Sequence, residues 1–576
     1  MSSRIVRRPL PDSGDSLPAD LHPLLRRVYA ARAVASAGDL DYSLTNLLPL
    51  RQLAGLPAAV ELLYTALAER WRILVVGDFD ADGATSCALC LRALRLLGAA
   101  DVDYLVPNRF EYGYGLTPEI VAVAARRHPD LVLTVDNGIS SREGVAAAKQ
   151  RGIRVLVTDH HLPGECLPEA DAIVNPNLPD NDFPSKHLAG VGVAFYVMLG
   201  LRAHLRECGW FAARQIVEPN LAQFLDLVAL GTVADVVPLD RNNRILVQQG
   251  IRRIRAGQCV PGLRALLEVA GRDPSRVIAT DLGFAAGPRL NAAGRLEDMS
   301  LGIECLLTDD AGSARTMASQ LDGLNRERRE IESDMQAQAL AALGDLELDD
   351  ASLPLGLCLF DPDWHQGVIG ILAARIKERF HRPVIAFARS GKGELKGSAR
   401  SVGGLHIRDV LDAVATRHPR LIARFGGHAM AAGLTLAEED YPAFAAAFDA
   451  EVARHLVHEE LGGVIHSDGE LQEQELSLEI ARLLRDASPW GQGFPAPLFD
   501  GDFTVLDQRV VGERHLKLSL RPAGGRGQID AIAFNTASLS PGCSAVHLAY
   551  RLDVNAYRGT ESAQLVVEHI DASGLA

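Results

Sequence analysis

Residues 72–83 read R-I-L-V-V-G-D-F-D-A-D-G, and this stretch decides the fold class. The aliphatic run Ile73–Val76 has no polar alternation, which is typical of a strand buried on both faces of a parallel sheet. Asp78, Asp80 and Asp82 follow this run at alternate positions. Three carboxylates therefore lie at the carboxyl edge of the predicted sheet, where open α/β sheets bind ligands. They repel one another unless a cation lies between them. A solvated acidic turn is the alternative interpretation.

Length and composition indicate a multidomain cytoplasmic protein. A chain of 576 residues is long enough for about three or four domains. Hydrophobic content of 48% and charged content of 23% are ordinary for globular proteins, and no apolar run is long enough to span a bilayer. The basic residues at the start are not followed by an apolar segment, so no secretory signal and no membrane association are expected. The net charge of −15 argues against general coating of nucleic acid but leaves a local basic groove open.

The eight cysteines are scattered, and Cys87 and Cys90 form the single C-x-x-C spacing. Because both lie in an apolar helical stretch without a second pair, we expect buried thiols and no zinc or redox site.

Strands and helices alternate between residues 70 and 176, which predicts βαβ units and a mostly parallel sheet. The predicted helices are residues 84–97, 117–127 and 141–150. The predicted strands are Ile73–Val76, Val102–Val106, Leu131–Val135, Arg154–Thr158 and Ala172–Val174.

Polar side chains also follow two later strands of this sheet. Asp136 follows the third strand, and Asp159, His160 and His161 follow the fourth. In a parallel sheet all of them converge with the first three carboxylates on one edge. Carboxylates with an imidazole suit Mn²⁺ or Mg²⁺ better than a thiolate zinc site, and a carboxylate shared by two ions would suit phosphoryl chemistry. An ordinary turn containing two histidines is the alternative.

The motifs D-F-D-A-D-G, T-V-D-N-G and T-D-H-H resemble the DHH phosphoesterase superfamily and, within it, the bacterial RecJ family of single-strand-specific exonucleases. The resemblance continues in family order over residues 70–435. Asn137 stands where relatives often carry Cys, at a position that is not a metal ligand in the family. The further matching segments are Pro107-Asn108-Arg109, G-T-V-A-D-V-V-P-L (231–239), G-P-R-L-N-A-A-G-R (287–295), W-H-Q-G-V-I-G (364–370), G-S-A-R-S (397–401) and G-G-H-A-M-A-A-G (426–433).

The resemblance implies a catalytic centre with two ions, Mn²⁺ or Mg²⁺. Asp82 and Asp136 would be shared between the ions, and Asp78 would be a ligand or lie beside the ligands. His161 would contact phosphate. Asp226 is an alternative to Asp235, which we prefer because it follows the small, turn-like G-T-V-A segment. The implied catalytic residues are Asp80, Asp82, Asp136, His160, His161 and Asp235, of which all but His161 are implied ligands.

The predicted fold class is multidomain α/β. A proline-free stretch over 312–343 predicts one long helix, and alternating segments at 515–520, 528–534 and 545–554 predict antiparallel strands of a small barrel. The barrel, an OB-fold by resemblance, has few aromatic candidates for stacking bases, namely Phe503, Phe534, Tyr550 and Tyr557. The expected domains are an N-terminal helical segment (1–65), a parallel-sheet DHH catalytic domain (66–310), a connecting helix (311–348), a smaller α/β DHHA1 domain (349–462) and the OB-fold domain (463–576).

Substrate contacts are expected from arginines and glycine-rich loops. Glycine pairs let main-chain N–H groups approach a phosphate, and an arginine can hold two phosphate oxygens. The resemblance also implies that the DHHA1 domain faces the metal site across a cleft. The implied substrate-binding residues are Arg109, His161, Arg289, Ser398, Arg400, Gly427 and His428.

Taken together, the resemblance implies a metal-dependent 5′→3′ exonuclease on single-stranded DNA that releases 5′-mononucleotides in DNA repair and recombination. A monomer assisted by a helicase and a single-strand-binding protein is expected. One alternative is a relative that cuts oligoribonucleotides or cyclic dinucleotides, but such chains lack a C-terminal barrel. Another is a non-catalytic replication scaffold, which can lose the metal carboxylates that this chain retains.

Overall fold

The chain forms two compact units, one containing Arg7–Asn325 with Ser467–Ala576 and the other containing Met1–Val6 with Arg326–His466. The computed structural model describes residues 4–10, 17–107, 115–344, 353–391, 393–456, 463–512, 514–536, 539, 544–557 and 559–571. Within these ranges, none of the helices combines the length and apolar character needed to cross a bilayer.

The N-terminal segment is only partly helical, which corrects the prediction for residues 1–65. It begins with strand β1 (Arg4–Arg7), followed by helices α1 (Pro23–Ala30) and α2 (Leu56–Ala68). Strand β1 forms a two-stranded sheet with a strand from residues 464–467. Four residues that read R-I-V-R are too few to reveal strand periodicity, and their partner lies more than 450 residues along the chain.

The predicted parallel sheet is confirmed. Its strand order is β3-β2-β4-β5-β6, and every neighbouring pair is parallel. Strand β3 lies one residue earlier than predicted. Cys87 and Cys90 are buried free thiols of α3, as expected. The strands are β2 (Arg72–Gly77), β3 (Asp101–Leu105), β4 (Leu131–Val135), β5 (Arg154–Thr158) and β6 (Ala172–Val174), and the intervening helices are α3 (Ala81–Leu97), α4 (Pro118–Ala125) and α5 (Arg142–Gln150).

A helical layer follows the sheet in the chain, and two of its helices, α6 and α8, pack against α3. Between α11 and α12 the helix widens into a π-helical turn, Leu282–Ala286. The long helix α14 differs from its predicted bounds by one residue at each end and passes from one unit into the other. The helices are α6 (Gly190–Glu207), α7 (Trp210–Arg214), α8 (Leu225–Ala234), α9 (Arg241–Arg255), α10 (Pro261–Val269), α11 (Ala279–Asp281), α12 (Gly287–Leu296), α13 (Ser300–Leu307) and α14 (Ala311–Gly344).

The smaller unit contains a mixed sheet with strand order β10-β11-β9-β8-β7, in which only β7 and β8 pair in parallel. Its core includes Phe387, Phe444 and Phe448, whose rings contact one another. The elements are β7 (Leu357–Phe360), α15 (Ile369–Phe380), β8 (Val384–Gly391), β9 (Glu394–Arg400), α16 (Ile407–Arg417), β10 (Arg424–Gly427), β11 (Ala431–Ala437) and α17 (Tyr441–Val452).

The C-terminal segment contains the predicted closed barrel, with strand order β13-β14-β15-β17-β16. Phe503 and Tyr550 point into its core, 3% and 1% exposed, so they are not platforms for bases. Phe534 is exposed, and the side chain of Tyr557 lies outside the described part of the structure. The elements are β12 (Val464–Ser467), α18 (Leu478–Asp486), β13 (Phe499–Val511), β14 (His515–Pro522), β15 (Ile529–Ala533), β16 (Ala545–Tyr557) and β17 (Thr560–Asp571).

A buried ion pair joins the N-terminal segment to the barrel. The Asp468 carboxylate is fully buried and accepts hydrogen bonds from Arg32 Nη1 (2.9 Å), Arg32 Nη2 (2.8 Å) and Leu498 N (3.0 Å). Next to this pair, Tyr29 stacks on Trp490 with ring centroids 5.8 Å apart. The N-terminal segment therefore packs against the residues that lead into the barrel.

Replacing Arg32 with alanine should leave the buried Asp468 carboxylate with only the more distant Arg8, whose Nε lies 3.6 Å from Asp468 Oδ1. Loss of one partner of a buried ion pair costs about 3–5 kcal/mol. We expect a clear fall in the denaturant concentration at which the larger unit unfolds. The matched change Arg264→Ala, which breaks an exposed pair with Glu268, should cost less than about 1 kcal/mol. Equal unfolding midpoints for the two variants would contradict this role of Arg32.

Candidate metal centre

The acidic turn between β2 and α3 is held by backbone N–H groups at two helix N-termini. Asp80 is the N-cap of α3, and its Oδ1 accepts a hydrogen bond from Gly83 N at 3.0 Å. Asp82 is buried in the first turn of α3, and its oxygens accept hydrogen bonds from Gly190 N (2.6 Å) and Val191 N (2.9 Å) at the start of α6. The partial positive charge of a helix N-terminus stabilises carboxylates in such positions.

Asp136 and His160 approach this turn from the ends of β4 and β5. His160 Nε2 lies 3.0 Å from Asp136 Oδ1, 3.5 Å from Asp235 Oδ2 and 4.0 Å from Asp82 Oδ2. Asp136 has a φ of +61°, in the left-handed region that few non-glycine residues adopt. A Cβ atom at Gly190 would lie 2.6 Å from Asp136 Cβ, so glycine is required there for α6 to approach the site.

Asp235 reaches the site from the C-terminal end of helix α8. The segment G-T-V-A before it is helical, which corrects the prediction that it forms a turn. Asp235 N–H donates to Gly231 O at 2.9 Å, and Val236 next to it has a φ of +62°. A β-branched residue in the left-handed region carries strain, and strain of this kind is concentrated at functional sites. The negative end of the helix dipole adds to the charge of the Asp235 carboxylate.

The structure brings all six predicted ligands together. In each of three groups, one potential ligand atom per residue lies within 4.8 Å of the others. Asp136 belongs to two of the groups, whereas Asp82 belongs to one. The groups are Asp78 with Asp80 and Asp136, Asp82 with His160 and Asp235, and Asp136 with His160 and His161.

The electrostatics of these carboxylates fit a bound cation. Burial and the charge of Asp80 raise the pKa of Asp82 to about 7. Burial and the neighbouring carboxylates raise the pKa of Asp136 and of Asp235 well above the usual value for aspartate. The five carboxylates of the three groups cannot all be ionised at this spacing unless a positive charge lies among them. Carboxylate oxygens with one imidazole nitrogen are a donor set that suits Mn²⁺ or Mg²⁺.

Asp159 positions the two histidines and lies in none of these groups. Its oxygens accept hydrogen bonds from the backbone N–H groups of Ile139 (2.9 Å), His160 (2.7 Å) and His161 (3.1 Å), and Oδ1 lies 2.7 Å from His161 Nδ1. Burial opposes ionisation of Asp159, but His161 and the backbone donors outweigh it and lower its pKa. Burial by itself lowers the pKa of His161, yet its hydrogen bond to Asp159 and the surrounding carboxylates raise it overall.

The alternative ligand, Asp226, lies in the first turn of α8, at the opposite end of that helix from Asp235. It is buried and accepts a hydrogen bond from Val260 N at 2.7 Å, and burial raises its pKa to about 6. Asp226 is in none of the three metal groups found among the described residues. The geometry therefore favours Asp235 as the candidate ligand.

Helix α12 buttresses the acidic turn through residues that the sequence analysis did not assign. Asn291 Oδ1 accepts a hydrogen bond from Ala81 N at 2.7 Å, between Asp80 and Asp82. A Cβ atom at Gly294 would lie 1.7 Å from Phe79 O, so this glycine lets α12 pack on the turn. Both belong to the segment G-P-R-L-N-A-A-G-R, so this motif could have pointed to their role beside the acidic turn.

Arg289, a predicted substrate-binding residue in the same segment, is buried and ion-paired. Its Nε and Nη2 lie 2.9 and 2.7 Å from Asp322 Oδ1, and its Nη1 donates to Ala285 O at 2.7 Å. Contact with substrate would require Arg289 to release Asp322.

In the smaller unit, Ser398 and Arg400 lie on one face of β9 against the start of helix α15. Arg400 Nη1 donates to Ser398 Oγ (3.2 Å) and to Ala399 O (2.8 Å). A Cβ atom at Gly370 would lie 2.9 Å from Ser398 Oγ and 3.0 Å from Arg400 Nη2. Burial lowers the pKa of Arg400, and no carboxylate of the described residues lies at ion-pair distance from it. A guanidinium, a hydroxyl and a helix N-terminus together form a site for an anion.

The remaining predicted substrate residues lie on or near the next strands. Gly427 ends β10 with a φ of +145°, where a side chain would be strained and its Cβ would lie 2.4 Å from Ala432 Cα. His428 N–H donates to Ala431 O at 2.8 Å and closes the loop to β11. Arg109 lies outside the described residues.

Comparison with known families identifies three regions of the chain. Residues 72–232 match the DHH family, N-terminal domain, residues 354–454 match the DHHA1 domain, and residues 467–569 match the RecJ OB domain. The predicted fold class is thereby confirmed.

Relatives match the chain over almost its whole length. The single-stranded-DNA-specific exonuclease RecJ of Dickeya dadantii is 59% identical over 571 residues, covering 99% of each chain. The protein of the same name from Escherichia coli is 58% identical, covering 98% of this chain and 99% of its own. The crystal structure of RecJ from Thermus thermophilus in complex with Mn²⁺ has a TM-score of 0.81 at 32% identity, covering 99% of this chain and 79% of that one. A second crystal structure from that organism is of the complex with Mg²⁺, with a TM-score of 0.76 at 31% identity, covering 99% of this chain and 78% of that one. The chain belongs to the RecJ family of single-stranded-DNA-specific exonucleases.

Proposed function

We propose that the chain is a metal-dependent exonuclease that degrades single-stranded DNA in the 5′→3′ direction, releases 5′-mononucleotides and acts in DNA repair and recombination. One observation carries the proposal: five carboxylates and an imidazole converge at one sheet edge in a chain that aligns over 99% of its length with such an exonuclease. The direction, the products and the biological role are supported by the family resemblance.

The candidate ligands would hold two Mn²⁺ or Mg²⁺ ions. Relatives with these ions have been crystallised, which supports the choice of metal. When bound, divalent cations act as Lewis acids on the phosphate and neutralise the charge that develops during hydrolysis. Asp136, common to two of the groups, is the best candidate for a shared ligand, and Asp82 is the second. The ligands that we propose are Asp78, Asp80, Asp82, Asp136, His160 and Asp235.

The remaining residues of the centre would orient the ligands and bind phosphate. Asp159 fixes the loop that carries both histidines: its Oδ1 accepts a hydrogen bond from His161 N and lies 2.7 Å from His161 Nδ1. The raised pKa of His161 favours the protonated ring, which donates to an anion. We therefore assign His161 to the phosphate and His160 to the metal.

Ser398, Arg400 and the N-terminus of α15 would bind the terminal 5′-phosphate. The family resemblance supports Arg109 as a further phosphate-binding residue. The support is the half-buried Arg400 guanidinium beside a helix N-terminus. Gly427 and His428, in the loop between β10 and β11, would contact the same DNA strand. Arg289 is also a proposed substrate contact, but it would first have to break its ion pair with Asp322.

The rival functions fit the structure less well. A nuclease for oligoribonucleotides or cyclic dinucleotides does not need the closed barrel at the C-terminal end of this chain. A non-catalytic scaffold has no reason to keep the predicted ligands in groups of three whose potential ligand atoms lie within 4.8 Å of one another. The proposal also includes a cytoplasmic monomer that works with a helicase and a single-strand-binding protein, which rests on resemblance alone.

Asp136→Ala and Asp82→Ala should each lower the rate of DNA hydrolysis by more than about 100-fold, because changes next to a metal site alone cost about 10–100-fold. Metal affinity should fall as well, since the remaining ligands neutralise less of the ions' charge. Release of nucleotides from a labelled single strand and calorimetric titration with Mn²⁺ measure the two effects. Glu268→Ala, at an exposed carboxylate, is the control. Normal turnover and normal metal binding in either variant would refute the assignment.

A pair of substitutions at the two ends of α8 tests the choice of ligand. Asp235→Asn should weaken Mn²⁺ binding by about tenfold or more, because an amide oxygen carries no charge to offset the ion. Asp226→Asn should leave Mn²⁺ affinity unchanged. It should also remove a pH dependence: the raised pKa of Asp226, about 6, means that the native protein loses stability as pH rises from 4 through 6. Thermal unfolding between pH 4 and 8 would measure this difference, and weakened metal binding by Asp226→Asn would reverse the assignment.

Arg400→Ala should weaken degradation of 5′-phosphorylated strands more than that of 5′-hydroxyl strands, by about tenfold, which is the lower end for hydrogen bonds to charged groups. The same selective loss is predicted for Arg109→Ala. Metal content should not change. The control is Arg389→Ala on strand β8, where an exposed arginine pairs with Glu438. If both kinds of strand are affected equally, Arg400 holds the backbone in general and does not recognise the terminus.

A further inference from the structure

Three exposed apolar side chains are attached to the segments that build the metal centre. Leu162 directly follows His161 and is 58% exposed, and Val236 directly follows Asp235 and is 62% exposed. Phe284, in the π-helical turn, is 76% exposed. Among the described residues, Phe534 is the other exposed phenylalanine. It is 52% exposed and packs edge-on against His515, so Phe284 is the more exposed of the two rings.

The π-helical turn lies against the end of α8 that carries Asp235. A Cβ atom at Gly283 would lie 3.1 Å from Val233 Cγ1, and one at Gly287 would lie 3.1 Å from Ala234 Cβ. Gly283 in the turn and Gly287 directly after it therefore lie close to Val233 and Ala234, the two residues before Asp235. The turn continues into α12, whose Asn291 Oδ1 accepts a hydrogen bond from Ala81 N in the acidic turn.

The local geometry holds the Phe284 backbone while leaving its ring outside. Gly287 N–H donates to Leu282 O, five residues earlier, which widens the helix at this turn. Turns of this kind occur mostly as single insertions in α-helices, frequently at functional sites. Leu282, Ala285 and Ala286 are buried, so the turn is anchored in the core on one side. Phe284 makes no ring contact with the other described residues.

We propose that Phe284 is a stacking platform for a nucleobase of the bound single strand, with Leu162 and Val236 forming the apolar border around the metal centre. This inference rests on the proposed function. Cations bound by the carboxylates would hold the phosphates of the strand but offer nothing to its bases. An exposed aromatic ring provides the surface that bases require, and it accepts every base because each has a π-face. The platform would position the strand for hydrolysis without selecting its sequence.

The test combines protein variants with abasic strands. Stacking of one base on an aromatic ring changes affinity about 5- to 150-fold. Phe284→Ala should therefore raise KM for a 5′-phosphorylated single strand about tenfold, with Mn²⁺ affinity unchanged. Phe284→Trp should restore KM, whereas Phe284→Leu, which keeps an apolar group of similar size, should not. Val217→Ala, at an 88% exposed apolar residue, is the control for loss of any exposed apolar group.

A series of DNA strands, each with a single abasic nucleotide at a different position near the 5′ end, locates the stacked base. The unaltered protein should lose about tenfold in kcat/KM at one position, and Phe284→Ala should lose nothing more at that position. Two results would overturn the platform. One is that the loss in kcat/KM from the abasic nucleotide and the loss from Phe284→Ala add at every position. The other is that Phe284→Leu has the same KM as the unaltered protein. Either result leaves the proposed function intact. Failure of the unaltered protein to degrade an intact strand with Mn²⁺ would instead refute the proposed function.

Discussion

Repulsion between buried carboxylates at the edge of the parallel sheet is the constraint on which the rest of the larger unit depends. Asp82, Asp136 and Asp235 all have a raised pKa because burial and neighbouring charges act in the same direction. A protein keeps such a cluster only if its backbone is held firmly and a cation shares the charge. The surrounding architecture supplies the firm backbone, through helix N-termini that donate to Asp80 and Asp82.

The helical layer around the sheet extends this support. Helices α6, α8 and α12 each come so close to the ligand segments that glycine stands at the contact, at Gly190, Gly231 and Gly294. At Gly231 a Cβ atom would lie 2.9 Å from Asp82 Oδ1. Since interiors are packed to high density, such contacts leave little freedom for the carboxylates to separate. The metal centre is therefore formed jointly by the sheet and three helices that follow it in the chain.

The smaller unit and the larger unit differ in the charge that they present to ligands. The smaller unit has a half-buried arginine, Arg400, beside a helix N-terminus, which suits an anion. The larger unit has the acidic cluster, which suits cations. The barrel contains its aromatic residues Phe503 and Tyr550 in its core, and a buried ion pair ties the N-terminal segment to it. Cationic groups bind phosphates, and bound metal ions stabilise the charge that develops when a phosphodiester is hydrolysed.

The sequence by itself determined the elements that depend on near neighbours. Aliphatic runs ending in aspartate predicted a parallel sheet with its polar residues at one edge, and five strands and the long helix α14 lie within a residue or two of their predicted bounds. The strand ends predicted which polar residues converge, and the family resemblance selected the candidate ligands among them and added Asp235. Only the tertiary structure decided the contacts between distant segments, such as Asp82 with Gly190, 108 residues apart, and Ala81 with Asn291, 210 residues apart. It also paired Arg289 with Asp322, joined β1 to β12, turned Phe503 inward and left Phe284 outside. The reason is physical: periodicity records which face of an element is buried, but the partner on that face is chosen by packing of the whole chain.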